Sequence, residues 1–516
     1  MKLFKYLAIA AASLFSVTTD AQAAWFEART SHFILVTSGT EERAKEFAAR
    51  LERFDMALRR LYDIADNPDL HNRPVAIYAL EPASFMVACG CMNSGLLGWY
   101  ARRLDSPTIT VITTLEEKAK FQQVGYLNSQ ALLLHEYSHH FMLANTPGPY
   151  PYWYVEGFAE FNANTVFDAD GSTVIGYPAS YRGGSLLRDS RIPMRKLVAP
   201  EVFGFGKDVD QTYGRAWLMT HYLMVRPERS GQLGRYLSAM ASGKPSLQAA
   251  QQAFGDLDAF DNELDRYIRA DIVPVRIGAP PRTPAVTVRA MSEGEGRSML
   301  LWLAARRGIQ RGHGKSTAIE VMKQAQAFPD DARAQILLSE TALLAKRYEE
   351  ADQLATRALQ LDPGSARALV LKGRIVTGRA VEANTGDHTA WATGRKWFAR
   401  ANRADPNWAE PFYRYYTSFL FAGEQVPENA VTGLQRAHVL APENGDIAWA
   451  MIREDLHKGD AARARRLLMP LAFAPHRRND DNKPAAVIAL IDAGQIAEAA
   501  DAVDAIWRKS RDGDDD

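Results

Sequence analysis

Apolar and polar positions divide this chain into two textures. In the first, Ser31-His32-Phe33-Ile34-Leu35-Val36 reads as a strand, and Glu41–Tyr62 places Phe47, Leu51, Phe54, Leu58 and Leu61 at the three- and four-residue spacing of one helix face. Residues 74–80 read as a second strand. Residues 108–113 alternate apolar and hydroxyl side chains, the pattern of a half-exposed or edge strand. Helices are predicted over 130–143 and 151–163, separated by the breaker Asn145-Thr146-Pro147-Gly148-Pro149, and again over 213–225, 231–241 and 260–269. Strands first and helices afterwards predict a mixed sheet packed against helices, an α+β domain.

Residues 272–287 are rich in Pro and Val (Pro274, Pro280, Pro281, Pro284) and read as a connector, which puts the first domain at 24–272 and a linker at 273–295. From 296 to 510 the texture becomes small-residue-rich helix with a repeat. Prolines 329, 363, 406, 442 and 475 follow helical segments at spacings of 34, 43, 36 and 33. The clearest unit, 332–365, has Leu338, Ala351, Ala358 and Pro363 at positions resembling the tetratricopeptide pattern. It departs from that pattern at Ala342, where an aromatic is usual, and the 43-residue interval carries an insertion at 381–389. The expectation is an all-α repeat domain whose helix pairs stack to share apolar faces; an unrelated helical bundle is the alternative.

Composition narrows the function classes. The 516 residues hold 61 Lys+Arg and 61 Asp+Glu, and this balance argues against nucleic acid as a partner, which calls for a basic face. Beyond the N-terminus no apolar run approaches the ~20 residues a membrane-spanning helix needs. The N-terminus itself has Lys2 and Lys5 before an apolar run over 6–15, then Ala21-Gln22-Ala23. That is the pattern of a signal peptide, residues 1–23, cleaved after Ala23, which implies a periplasmic or secreted protein. The two cysteines, Cys89 and Cys91, cannot make a disulfide framework; a local staple or buried thiols are expected, with a thiol-redox role as a rival. Residues 511–516 read as a solvated acidic tail.

Chemistry concentrates in His135-Glu136-Tyr137-Ser138-His139, an H-E-x-x-H motif inside a predicted helix. Four residues make about one turn, so both imidazoles leave one face and can share a zinc ion. Glu136 is placed to reach a zinc-activated water as general base rather than the metal itself. A third ligand is expected from Trp153-Tyr154-Val155-Glu156-Gly157-Phe158-Ala159-Glu160-Phe161: Glu156 completes a His₂Glu set once the proline-rich turn folds this helix back. Glu160, one turn on, can accept the N–H of a ligating imidazole. Gly157 costs its helix ~1 kcal/mol relative to Ala, which close helix–helix approach would explain. Of Tyr150, Tyr152, Trp153 and Tyr154, packing between the two helices is the expected role, with lining of a substrate cleft as the alternative.

H-E-x-x-H followed by W-x-x-E-G-x-A-E resembles the gluzincin clan of zinc metallopeptidases, over roughly residues 25–270. The resemblance implies a zincin-like fold with one Zn2+, with His135, His139 and Glu156 as ligands and Glu136 as general base. It also implies an edge strand that holds the substrate backbone, assigned to 108–113. The metzincin extension is absent, because Asn145 stands where its third histidine would be. The segment Tyr213-Gly214-Arg215-Ala216-Trp217 resembles the helix that carries a catalytic tyrosine in aminopeptidase-like members, which makes Tyr213 the expected oxyanion donor and His221 the reserve. The exopeptidase substrate motif is not recognisable, so an endopeptidase is expected. Gly312-His313-Gly314-Lys315-Ser316 lacks the first glycine of a phosphate loop. Together these point to an exported zinc peptidase, with the repeat domain recruiting a protein partner or substrate. The alternative is a non-catalytic repeat scaffold with a structural zinc.

Overall fold

The computed structural model describes residues 24–512 apart from 69–70, 72, 91–95, 114–127, 147, 188–191, 200–208, 271, 309–313, 384–387 and 473–482. The signal segment 1–23, Cys91, Pro475 and most of the acidic tail therefore lie outside the described residues. Cys89 is disulfide-bonded.

Among the described residues nine strands form two sheets: β1 (Trp25–Arg29), β2 (Phe33–Ser38), β3 (Val75–Leu80), β4 (Gly98–Ala101), β5 (Thr108–Ile112), β6 (Val166–Phe167), β7 (Thr173–Ile175), β8 (Val275–Ile277) and β9 (Thr287–Ala290). The larger sheet has the order β4-β5-β3-β2-β1-β9 and the smaller one β6-β7-β8. In the larger sheet β2, β3 and β5 run parallel, and β4, β1 and β9 are antiparallel to their neighbours. At its centre Ile77 pairs with Leu35 on one side and Ile109 on the other, and all three are fully buried. Burial of this kind calls for helices on both faces.

The helices of this region are α1 (Glu41–Tyr62), α2 (Pro82–Cys89), α3 (Ser129–Asn145), α4 (Tyr152–Ala163), α5 (Gly183–Leu187), α6 (Met194–Leu197), α7 (Val209–Val225), α8 (Gln232–Ala241), α9 (Ser246–Phe254) and α10 (Leu257–Tyr267). Local chemistry sets their ends. Thr40 caps α1 by accepting from the Arg43 amide, Glu41 and Glu42 fill its first turn, and Asp63 closes it in the left-handed region. Asn128 caps α3 by accepting from the Ala131 amide at 2.7 Å. Leu51, Phe54 and Leu58 of α1 and Leu133, Leu134 and Phe141 of α3 pack in one core with Phe33, Leu35 and Ile77 of the sheet.

Two expectations need correction. Residues 108–113 do not form an edge: β5 is paired on both sides, Thr110 is wholly buried, and the outer strand is β4. Alternating threonines look half-exposed in one dimension, yet here both faces of the strand are covered. The stretch 273–295 is likewise more than a linker. β8 joins the small sheet against β7, β9 joins the large sheet against β1, and a helix begins at Glu293.

The rest of the chain is helical: α11 (Glu293–Arg306), α12 (Gly314–Ala327), α13 (Ala332–Leu344), α14 (Tyr348–Leu361), α15 (Ala366–Glu382), α16 (His388–Ala404), α17 (Ala409–Phe421), α18 (Glu428–Leu440), α19 (Gly445–His457), α20 (Ala461–Ala472), α21 (Lys483–Asp492) and α22 (Ile496–Asp512). Pro329, Pro363, Pro406 and Pro442 each fall in the turn between one helix pair and the next, where a missing N–H is harmless. Gly314 begins α12, and the residues before it, 309–313, lie outside the described residues. No helix among the described residues is long and apolar enough to cross a membrane.

The helical region is fused to the sheet. Met299, Trp302 and Leu303 of α11 share a core with Val36, Leu80 and Phe85, so α11 and α2 cover the sheet face opposite α1 and α3. Arg306 binds Asp105 at 3.0 Å, Glu340 accepts from Trp302 Nε1 at 2.9 Å and from Arg374 at 3.1 Å, and Arg73 pairs with Glu443.

Candidate metal centre

The α3–α4 hairpin builds the site. Pro151 caps α4, whose return path lays Glu156 and Glu160 against the His135–His139 face of α3. The two imidazole Nε2 atoms are 3.1 Å apart, and Glu156 Oε2 is 3.4 Å from that of His135 and 3.5 Å from that of His139. With metal–donor bonds of about 2.0–2.1 Å, donors at the corners of a tetrahedron stand about 3.3–3.4 Å apart. The three donors therefore form one face of a tetrahedral site of the right size for a small divalent ion, and such a group could hold a metal.

Burial gives the site a direction. His139 is 1% exposed and Glu156 is fully buried, whereas His135 and Glu136 are 8% and 9% exposed, so solvent reaches the donors from the His135–Glu136 side. Burial opposes charge on His135, but Glu156, Glu160 and Glu136 outweigh it and raise the imidazole pKa to about 9. A field that favours a proton at that ring favours a cation there.

Glu160 lies as expected beside His135 Nδ1, at 3.5 Å, an ion-pair distance rather than a hydrogen bond. Its own oxygens are fixed by Tyr181, whose hydroxyl donates at 2.6 Å, and by Arg182 at 2.8 Å, which also pairs with Asp210. Sequence reasoning missed Tyr181 and Arg182. They sit on an irregular 3-10 turn (Ser180–Arg182) followed by the short α5, where no periodicity marks a role.

Tyr213 arrives on α7 with its ring parallel to that of His135, centroids 6.2 Å apart and planes 13° off. The Tyr152 hydroxyl donates to the Tyr213 hydroxyl at 3.3 Å, and the Arg182 guanidinium lies 4.9 Å from the Tyr213 ring centroid. Burial, together with Glu156, pushes the Tyr213 phenol far above its ordinary pKa, so it stays protonated and able to donate. His221, the reserve donor, is a core histidine instead. It is fully buried, bonded to the Tyr267 hydroxyl at 2.8 Å, and packed by Phe161 and Trp217. Burial lowers its pKa to about 4.

The aromatic cluster divides by role. Trp153 and Tyr154 are buried, Trp153 donating to the Tyr236 hydroxyl at 3.2 Å, while Tyr152 turns toward Tyr213. Asn145 ties α3 to α1 by accepting from Arg59 at 3.2 Å. Gly157 marks where α4 crosses α7: a Cβ there would lie 2.3 Å from Thr220 Oγ1 and 2.5 Å from the Ala216 carbonyl oxygen. Among known proteins, no family model and no curated sequence matches this chain.

Proposed function

We propose that this chain is an exported zinc-dependent endopeptidase of gluzincin type, with a tetratricopeptide-like helical region that recruits its protein substrate. One observation carries the reading: His135, His139 and Glu156 present three donors at tetrahedral spacing, with the Glu136 carboxylate on the same turn of α3 and near the open side. Those three residues would hold the ion. Bound zinc supplies Lewis acidity, which lowers the pKa of water and polarises a carbonyl. Glu136 takes the proton as water attacks the peptide carbonyl carbon, and returns it to the amine as the C–N bond breaks. Tyr213 donates to the oxygen on which charge develops. Glu160, clamped by Tyr181 and Arg182, holds the His135 ring in place. The outer edge of β4, unpaired among the described residues, rather than 108–113, is offered to an extended substrate backbone.

The test uses purified protein, zinc analysis and an unfolded protein substrate. Glu136→Gln should keep its zinc and lose about 10²–10⁴-fold in turnover, His135→Ala should lose the metal, and a chelator should stop wild-type cleavage. Zinc-loaded wild type that cleaves nothing in a broad peptide library would support the non-catalytic scaffold instead.

A further inference from the structure

A second group of imidazoles and a carboxylate lies on the other side of α3, outside the site just described. His32 immediately precedes β2, Asp66 follows α1, and His71 leads toward β3. His32 Nε2 and His71 Nε2 both face Asp66 Oδ1, at 3.1 Å and 2.8 Å, and the three donor atoms lie within 4.8 Å of one another. The two rings meet edge to face with centroids 4.7 Å apart, so their nitrogens converge while the rings avoid stacking.

The opposite edge of His32 is also specified. Its Nδ1 is 2.7 Å from Glu52 Oε1 and 3.4 Å from Asp55 Oδ2, and Glu52 accepts the His32 backbone amide at 3.2 Å. A carboxylate on one ring nitrogen fixes the proton there and leaves the lone pair of the other for a metal, the arrangement that accompanies most metal-bound histidines. Charge points the same way. Glu52, Asp55 and Asp66 surround His32, while the nearby cation Arg59 is held by Asp55 at 2.7 Å and stands farther from Asp66 Oδ1, at 4.0 Å. His32 is buried, Asp66 is exposed and His71 is intermediate, so an ion has a route in and a face open to water.

We propose that His32, Asp66 and His71 form a second divalent-metal site, of the His₂Asp type suited to zinc, that ties the entry of β2 to the segments following α1. Glu52 is its positioning residue. The site does not depend on the peptidase reading. It is linked to α3 through Tyr137, which is about 200° around the helix from His135 and donates to Asp55 at 2.5 Å, and through Arg59, which donates to Asn145 at 3.2 Å.

Metal-stripped protein, re-equilibrated with Zn²⁺ near neutral pH and freed of unbound ion, should hold two zinc ions per chain. His71→Ala and His139→Ala should each hold one, and the double variant none. Glu52→Gln, which keeps all three donors, should weaken one of the two sites about 10–100-fold. Asp66→Asn, which preserves shape, should repeat the loss in His71→Ala, with circular dichroism checking the fold of each variant. His71→Ala with undiminished zinc overturns the proposal: the cluster is then an imidazolium held between carboxylates. One zinc in wild type, one in His139→Ala and none in His71→Ala upholds this site and removes the support for the His135 centre.

Discussion

Four glutamates in the two histidine clusters share one side chain and differ in what surrounds it. Glu156 is fully buried against two imidazoles, where a bound ion would find it as a ligand, while Glu160 is held by Tyr181 and Arg182 beside the His135 ring. Glu136 keeps a little solvent exposure, and Glu52, on α1, faces His32 in the second cluster. Tyr213 offers the sharpest test at this scale. Tyr213→Phe removes one oxygen and leaves the ring against His135, so kcat should fall about 10²–10³-fold with KM little changed. Steady-state kinetics on one peptide checks this, and an equal loss in Tyr152→Phe alone would move the donor role to Tyr152. The meeting of His135 and His139 was legible because i, i+4 spacing on a helix forces side chains to one face. The partners of Glu160 were not, because irregular backbone carries no period.

At the scale of elements, the site depends on three rods crossing at close range. α3 and α4 were legible to within two residues because prolines and a glycine separate them, each is longer than three turns, and Asn128 caps α3. α2, β4, β6, β7, β8 and β9 were not, since they run two to eight residues, too short for a pattern to rise above chance. Gly157 lies at the α4–α7 crossing that sets Tyr213 against the His135 ring. Gly157→Ala gains ~1 kcal/mol of helix propensity but drives a methyl into the Ala216 carbonyl and Thr220 hydroxyl, an overlap costing about 1–3 kcal/mol. The clash with backbone should win. Denaturant unfolding should show a net loss, and turnover should fall with it as Tyr213 is displaced; a stabilised, fully active variant would show that the helices can part freely.

Over the whole molecule, the sheet and the helical array form one body because α11 serves both. Trp302 packs on Tyr78 and donates to Glu340, linking the sheet to the first helix pairs. Burial would raise the Glu340 carboxyl, but Arg306 and Arg374 hold it down to about 2. A carboxyl held below its ordinary value of 4.5 contributes stability above that pH, and the contribution fades as the pH falls toward 2. Glu340→Gln should therefore lower stability by up to about 3–5 kcal/mol near neutral pH. The gap in Tm between wild type and variant should close between about pH 4.5 and 2; a gap independent of pH would show that the cost comes from packing rather than charge.

What the chain determines by itself is local. Helix periods, caps, proline punctuation and the HExxH spacing act over one to four residues, and backbone geometry converts them directly into faces and ends. Only the tertiary structure decides that β4 rather than β5 is the edge, that 273–295 is sewn into both sheets, and that His32, Asp66 and His71 meet. Each of these depends on pairing between segments far apart in sequence, and a strand's neighbours or a histidine's partners are set by which surfaces are left to cover once the local elements have formed.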